Sequence, residues 1–538
     1  MVLVWILYAL VLLAGYFIFD ALWKFQYWKK RGISGPRPLP LVYFVPHIAK
    51  GIGEFDIRNI KKYGPLYGYY DGGVQVLVTS DPDMLRSVMV KDFSHFVNRR
   101  HADFNGPFFE RAVSELRDQR WKDVRSALVP AFTSGRMRQM DELMNECCAT
   151  LERNLATMSD QKTEFDLKEF FQGVTMDVIA STFFGTRIDS QNDPDNVFVK
   201  KAKSAFEGGF FSLATLIYFL FPRVWPIAKK LGLQAIPKTT VDFFVDNTFE
   251  IIRMRRATNL NRRDFLQLML KSVEAAENGK VRLQSNGSST GFSRSDSPSE
   301  MMNGDLNDVV PHELTNGHVQ IKAHGHLTPQ LTIEDITAQA VIFFLAGFET
   351  TSTALSFLTY ALTMQQDIQD KLREEIQTVM EGHEVPTYEL VSQMTYLDQC
   401  VNEALRLYPP VTRNERVCNE EWEYNGMTIE RGTVIGIPIF ALHRDPRFWN
   451  NPDKFDPDRF SKENKHKINQ YTFQTFGQGP RNCIGMRFAY YEMKLVMAHI
   501  LPRFRFVPCS KTDDPLPLKD VGFLSPRNGV WVSAESLS

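Results

Sequence analysis

The chain has 538 residues, a formal net charge of −1, and 43% hydrophobic and 12% aromatic content. That length and apolar content support one large domain or two to three ordinary ones, and the near-zero charge gives no footprint for nucleic-acid binding. The 6 cysteines are scattered, with only Cys147 and Cys148 adjacent; this excludes a disulfide framework or a structural zinc site as a reading and fits a reducing compartment.

Residues 2–19 form an uninterrupted uncharged run of aliphatic and aromatic residues. As a helix it would span about 27 Å, close to the hydrocarbon thickness of a bilayer. No small-residue cleavage site follows cleanly. Lys24, Lys29, Lys30 and Arg31 come after it and no Lys or Arg precedes it, which places the remainder of the chain on the cytosolic side. The expected organisation is a transmembrane anchor over residues 1–22, a basic, proline-containing linker over 23–40, and one domain over 41–538. The linker includes Ser34-Gly35-Pro36-Arg37-Pro38-Leu39-Pro40, where the prolines resist helix formation.

Within the domain, residues 75–79 read as a strand and residues 140–158 carry helical spacing of Leu and Met. Residues 210–221 are an apolar, aromatic run too short to span a bilayer, so core and interface-dipping readings both stand. Composition then shifts to Ser, Gly, Asn and His, and 280–330 is expected to be a flexible insertion. Its sequon, Asn286-Gly287-Ser288, would stay unmodified in the cytosol. Thr332 is a helix N-cap with Glu334 and Asp335 in the first turn. Residues 336–364 are then a long apolar helix, continued by a charged amphipathic stretch over 365–380. Asn425-Gly426 between Trp422-Glu423-Tyr424 and Met427-Thr428-Ile429 is a hairpin signal, and Arg527-Asn528-Gly529 suggests a second hairpin. Residues 486–501 read as another helix. The fold class is mainly α with small β-sheets, and there is no internal repeat.

The run that carries chemistry is Phe476-Gly477-Gln478-Gly479-Pro480-Arg481-Asn482-Cys483-Ile484-Gly485. Alone, a cysteine is more often a small buried hydrophobe. A thiolate in a glycine-rich loop, however, can bind a soft or redox-active metal centre. The glycines let backbone approach a large flat ligand and turn N–H groups toward the sulfur. Phe476 would limit water, Arg481 offers a fork to a carboxylate, and the following helix favours the thiolate through its dipole.

The spacing Phe-x-x-Gly-x-Arg-x-Cys-x-Gly resembles the haem-binding loop of the cytochrome P-450 family of haem-thiolate monooxygenases. Further motifs agree in order and approximate spacing over nearly the whole chain. Ala346-Gly347-Phe348-Glu349-Thr350-Thr351 lies in the apolar helix, where Glu349 is the sole charge between Ile336 and Met364. Gln339, Glu349 and the threonines argue against reading that helix as a second membrane span. Gly347 would leave room for a small ligand, and Thr350 would open the local backbone ladder and hold a water. By resemblance, Glu349 and Thr350 deliver protons on the distal face of the haem. Glu403 and Arg406, one helical turn apart, would join Arg459 in a buried structural network; Asp458 stands where the family usually has Glu. Arg125, Arg416 and Arg481 match positions that meet the haem propionates, with the Trp121 indole beside them.

The resemblance implies haem b (heme b) bound axially through Cys483 as the metal ligand, with Gly485 and Phe476 part of its loop. It implies insertion of one oxygen atom from O2 into small hydrophobic substrates such as xenobiotics, steroids or fatty acids. No flavin or dinucleotide fingerprint is present, so electrons would come from an NADPH-dependent flavoprotein reductase, with Arg117, Arg120 and Lys122 as a candidate docking patch. Residues 402–418 look like those of the microsomal, xenobiotic-metabolising branch, which implies a single-pass protein of the endoplasmic reticulum membrane. Phe104, Phe108, Phe109, Phe343, Phe344 and Phe523 are candidate pocket residues. A peroxide-consuming haem-thiolate isomerase or lyase, and a non-catalytic haem sensor, are the competing classes. The Glu349–Thr350 pair favours oxygen activation over both.

Overall fold

A computed structural model of the chain describes residues 2–37, 51–71, 74–207, 212–220, 224–258, 262, 264–277 and 331–537. The expected insertion over 280–330 with its sequon lies outside the described residues. So do residues 38–40 of the linker and 210, 211 and 221 of the apolar run.

Helix α1 (Val2–Lys30) is 29 residues long. It carries the basic segment after residue 22 in helical form, because no breaker occurs before Gly32, where φ is +71°. Its end docks on the domain. Trp28 and Ile33 are buried, and the Trp28 indole donates to the Tyr69 carbonyl at 3.1 Å.

Helices α2 (Asp118–Leu128), α3 (Ser134–Asp160) and α4 (Leu167–Ile179) surround the central α5 (Ile333–Met364). Thr332 and Asp335 close a capping box at the start of α5. Most of its 32 residues are buried, so the long apolar run is a core helix. Gly347 brings α5 against α4: a Cβ there would lie 2.3 Å from Ile179 Cδ1. The space expected for a ligand beside Gly347 is filled by Ile179, and the glycine serves helix packing. The charged continuation is a separate helix, α6 (Gln366–Val379), because Gln365 leaves helical geometry at φ −134° and ψ 83°. Helix α7 (Thr395–Leu407) carries Glu403 and Arg406, and α8 (Met486–Ile500) starts directly after the cysteine loop.

The strands are β1 (Leu66–Asp71), β2 (Val74–Thr79), β3 (Phe165–Asp166), β4 (Asn414–Val417), β5 (Trp422–Tyr424), β6 (Met427–Ile429), β7 (Val434–Ile437), β8 (Phe504–Val507), β9 (Leu518–Asp520), β10 (Leu524–Pro526) and β11 (Trp531–Ser536). The largest sheet has the order β1-β2-β7-β4 and joins early and late parts of the chain. The β5–β6 hairpin forms as expected, with Asn425 and Gly426 at φ +49° and +77°. The second expected hairpin does not form. Asp166 accepts the Val530 N–H at 2.8 Å and draws β11 onto β3 and β8, while β10 pairs with β9.

Candidate functional site

The loop before α8 closes on itself, with the Cys483 N–H donating to the Phe476 carbonyl at 2.8 Å. Gly477 and Gly479 sit at φ +69° and +75°. A Cβ on Gly479 would lie 1.9 Å from the Met89 carbonyl oxygen, so only glycine lets the loop seat there. Gly485 caps α8 and sets its amide beside the Cys483 sulfur. Burial pushes the Cys483 thiol up, and the Gly485 amide, Arg99 and Arg125 oppose that shift. The cysteine is deeply enclosed, yet it keeps exposed surface, as does Ala346 in the otherwise buried α5. Phe476 is half-buried, with its ring 5.1 Å from that of Tyr490.

Cations crowd this region. Arg416 on β4 is fully buried; its Nη1 donates to Asn414 Oδ1 (3.2 Å) and the Glu415 carbonyl (2.9 Å), while Nε and Nη2 have no partner. Arg99 Nε is likewise unpartnered. Arg125 donates to Asn482 Oδ1 at 2.7 Å. Burial, then repulsion from Arg99, Arg481 and Arg125, pushes the Arg416 guanidinium well below its ordinary value. A guanidinium nevertheless stays charged in proteins, so the cluster holds uncompensated positive charge and unmade hydrogen bonds, both costly in a buried setting.

Arg481 has partners of its own. Its terminal nitrogens donate to the carbonyls of Val97 (2.6 Å), Ser114 (3.2 Å) and Leu116 (2.7 Å), and the guanidinium lies 4.6 Å from the centre of the Trp121 ring. It ties the cysteine loop to the 97–116 segment. Trp121 is buried, with the Arg125 guanidinium 5.8 Å from its ring centre. Sequence reasoning missed Arg99. It belongs to no motif, and a β-bridge between Asn98 and Val417 brings it beside Arg416.

On α5, the Thr350 hydroxyl donates to the Ala346 carbonyl at 2.7 Å. The helix is continuous here, so the hydroxyl doubles onto an intact ladder rather than opening it. Glu349 turns to α4, where it meets Lys168 Nζ at 2.5 Å and Gln172 Nε2 at 3.2 Å. Residues adjacent on a helix point about 100° apart, and the acid and the alcohol have separate partners.

A family model described as Cytochrome P450 matches residues 33–287 and 304–533. The chain belongs to the cytochrome P450 family. It is 39% identical to cytochrome P450 3A9 of Rattus norvegicus over 94% of this chain and 92% of that protein. Cytochrome P450 3A2 of Rattus norvegicus is 39% identical over 98% of this chain and 95% of its own length. Cytochrome P450 3A5 of Homo sapiens is 38% identical over 94% and 92%. The protein is a haem-thiolate monooxygenase, an oxidoreductase of the class whose haem iron is held by a cysteine thiolate.

The residues of this cytochrome P450 fit that group. A flat dianion beside Cys483 would satisfy the orphaned donors of Arg416 and Arg99 and neutralise their charge. The supporting network is fully bonded. Arg406 Nε and Nη2 donate to Glu403 at 2.7 and 2.8 Å, Arg459 Nε reaches Glu403 at 3.2 Å, and the Asp456 N–H adds a bond of 2.8 Å. Asp458 lies outside it, exposed and 3.6 Å from Lys371. Of the candidate pocket aromatics, Phe343 packs among Phe132, Phe183 and Phe265, and Phe344 against Phe184 and Phe244; both are core.

Proposed function

We propose that this cytochrome P450 inserts one oxygen atom from O2 into small apolar molecules, xenobiotics and steroids among them, using electrons from an NADPH-dependent flavoprotein reductase. The observation that carries the site is the unpartnered Arg416 guanidinium in the cation cluster around Cys483. Haem, when bound, supplies the activation of dioxygen and the transfer of oxygen. The chain's residues do the rest. Cys483 would hold the iron, and the Gly485 amide beside its sulfur favours the thiolate. Arg416, Arg99 and Arg125 would take the carboxylates, with Trp121 packed against Arg125 and Arg481, and Phe476 would shield the sulfur from water. Thr350 offers a hydroxyl proton at Oγ1, now held by the Ala346 carbonyl. Glu349, released from its contact with Lys168, would take a proton from solvent and pass it toward Thr350.

Helix α1 is the membrane anchor in this reading, followed by the linker and one catalytic domain. Trp5, Leu12 and Phe19 are 72%, 70% and 68% exposed, an apolar surface that lipid would cover. The basic residues that follow favour a cytosolic domain at the endoplasmic reticulum membrane. Reductase docking rests on Arg117 and Lys122, which are exposed, since Arg120 is turned to Asp335 at 2.5 Å.

The test is turnover with reductase and NADPH over a panel of steroids, fatty acids and foreign compounds. Oxygen-dependent product with matched NADPH use is expected. Turnover of peroxides without NADPH would replace this reading with the isomerase or lyase class.

A further inference from the structure

Where α1 meets the domain there is a cavity of about 350 Å³ that the oxygenation chemistry does not use. That volume falls within the roughly 300–1,000 Å³ of small-molecule sites. Lys24, Phe25, Trp28 and Lys29 of α1 form one wall, and Tyr63 and Tyr70 lie opposite. Among the described residues that line it, none is acidic. Asp20 holds the Lys24 ammonium at 2.6 Å. Lys30, Arg31 and Arg37 follow in sequence, with Arg31 paired to Glu430, and Lys61 and Lys62 close the helix that ends at Tyr63.

Three observations point to what would fill it. Tyr70 is only 5% exposed and its hydroxyl, with the Gln75 side chain beside it, has no well-formed hydrogen bond. A buried donor of that kind needs an acceptor. The negative end of α1 would oppose an anion, yet its Trp28 and Lys29 carbonyls are already taken. Arg31 and Ile33 donate to Trp28, and Gly32 donates to Lys29, at 3.0 to 3.1 Å. Finally, the stretch of α1 just before Lys24 is apolar and open, with Phe19, Leu22 and Trp23 68%, 58% and 57% exposed. At 1.5 Å per residue, Lys24 and Lys29 lie about 7 to 15 Å beyond Phe19, at the depth of lipid headgroups.

We propose that this cavity holds the phosphate of an anionic phospholipid of the cytosolic leaflet, with its acyl chains along the exposed face of α1. The lipid then acts as a wedge that fixes how the domain leans on its anchor. Lys29 supplies the charge, Lys24 adds to it by exchanging Asp20 for the phosphate, and the Tyr70 hydroxyl supplies a fixed donor. The inference rests on the reading of α1 as a membrane anchor.

The test uses the full chain in phosphatidylcholine nanodiscs doped with phosphatidylserine. The protein is extracted into detergent and washed, and the retained lipid is counted by mass spectrometry. The wild type is expected to keep about one phosphatidylserine per chain. Lys24→Ala with Lys29→Ala should lower retention about tenfold, and Tyr70→Phe severalfold. Lys30→Ala, which removes a neighbouring charge that does not line the cavity, should leave it unchanged. An intact thiolate-type carbon-monoxide spectrum in each variant shows that the domain is folded. Equal loss in Lys30→Ala would overturn the site in favour of diffuse attraction, and no loss in the double variant would overturn it outright. Binding of inorganic phosphate as tight as that of phosphatidylserine would overturn the lipid. A chain that elutes free of nanodiscs contradicts the anchor reading instead, so the two failures are distinguishable.

Discussion

Two clusters of buried arginine sit a short way apart in sequence and differ in one respect. Around Glu403, the Arg406 guanidinium finds a carboxylate and the carbonyls of His443 (2.7 Å) and Lys454 (3.2 Å). Around Cys483, Arg416 keeps two nitrogens without a partner and faces other arginines. The first cluster is complete as protein and holds the fold. The second is incomplete as protein and marks where a ligand belongs. A third buried charge sharpens the contrast. Glu492 on α8 is fully buried, neither oxygen has a well-formed hydrogen bond, and burial pushes its carboxyl well above its ordinary value. An acid in that position can neutralise itself, and an arginine cannot. An orphaned arginine therefore says more about function than an orphaned glutamate.

The largest effect should come from breaking the complete cluster. Glu403→Gln leaves Arg406 and Arg459 without their shared partner and should destabilise the fold by about 3–5 kcal/mol, read by urea unfolding. The incomplete cluster should respond in the opposite sense. Arg416→Met should raise the thermal midpoint of the apoprotein while weakening haem retention roughly 10- to 100-fold, the equivalent of about 1.5–3 kcal/mol for a lost charged hydrogen bond. If Arg416→Met destabilises the apoprotein as Glu403→Gln does, the distinction fails. Thr350→Ala leaves both clusters alone and should act only on coupling, with NADPH use exceeding product severalfold and peroxide released; unchanged coupling would remove Thr350 from proton delivery.

The smallest effect concerns Glu492. Its folded carboxyl titrates above the ordinary value of 4.5. The stability it confers is therefore complete below about pH 4.5 and is lost as pH rises toward the folded value. Glu492→Gln should flatten that decline in the thermal midpoint from pH 4.5 to neutrality; an unchanged slope would show that Glu492 is ionised in the fold.

Much of this was legible in the sequence because it is local. The Thr332 cap, the Asn425-Gly426 turn, the Glu403–Arg406 pair and the cysteine loop each depend on residues within a turn or two. What escaped is what the fold assembles at long range. Arg99 carries no motif and reaches Arg416 only through a β-bridge. Gly347 read as room for a ligand, and only the packing of α4 shows Ile179 in that room. Arg481 also bonds the Val97, Ser114 and Leu116 carbonyls, over 360 residues away, a tie that no local motif announces. The second hairpin failed because Asp166, also distant, captured the strand.

The central claim is that Cys483 is the thiolate ligand of a haem seated against the orphaned arginines. The reduced, carbon-monoxide difference spectrum of the holoprotein tests it most directly. A thiolate-type Soret shift in the wild type that disappears in Cys483→Ala is the expected result. A shift that survives in Cys483→Ala would contradict it.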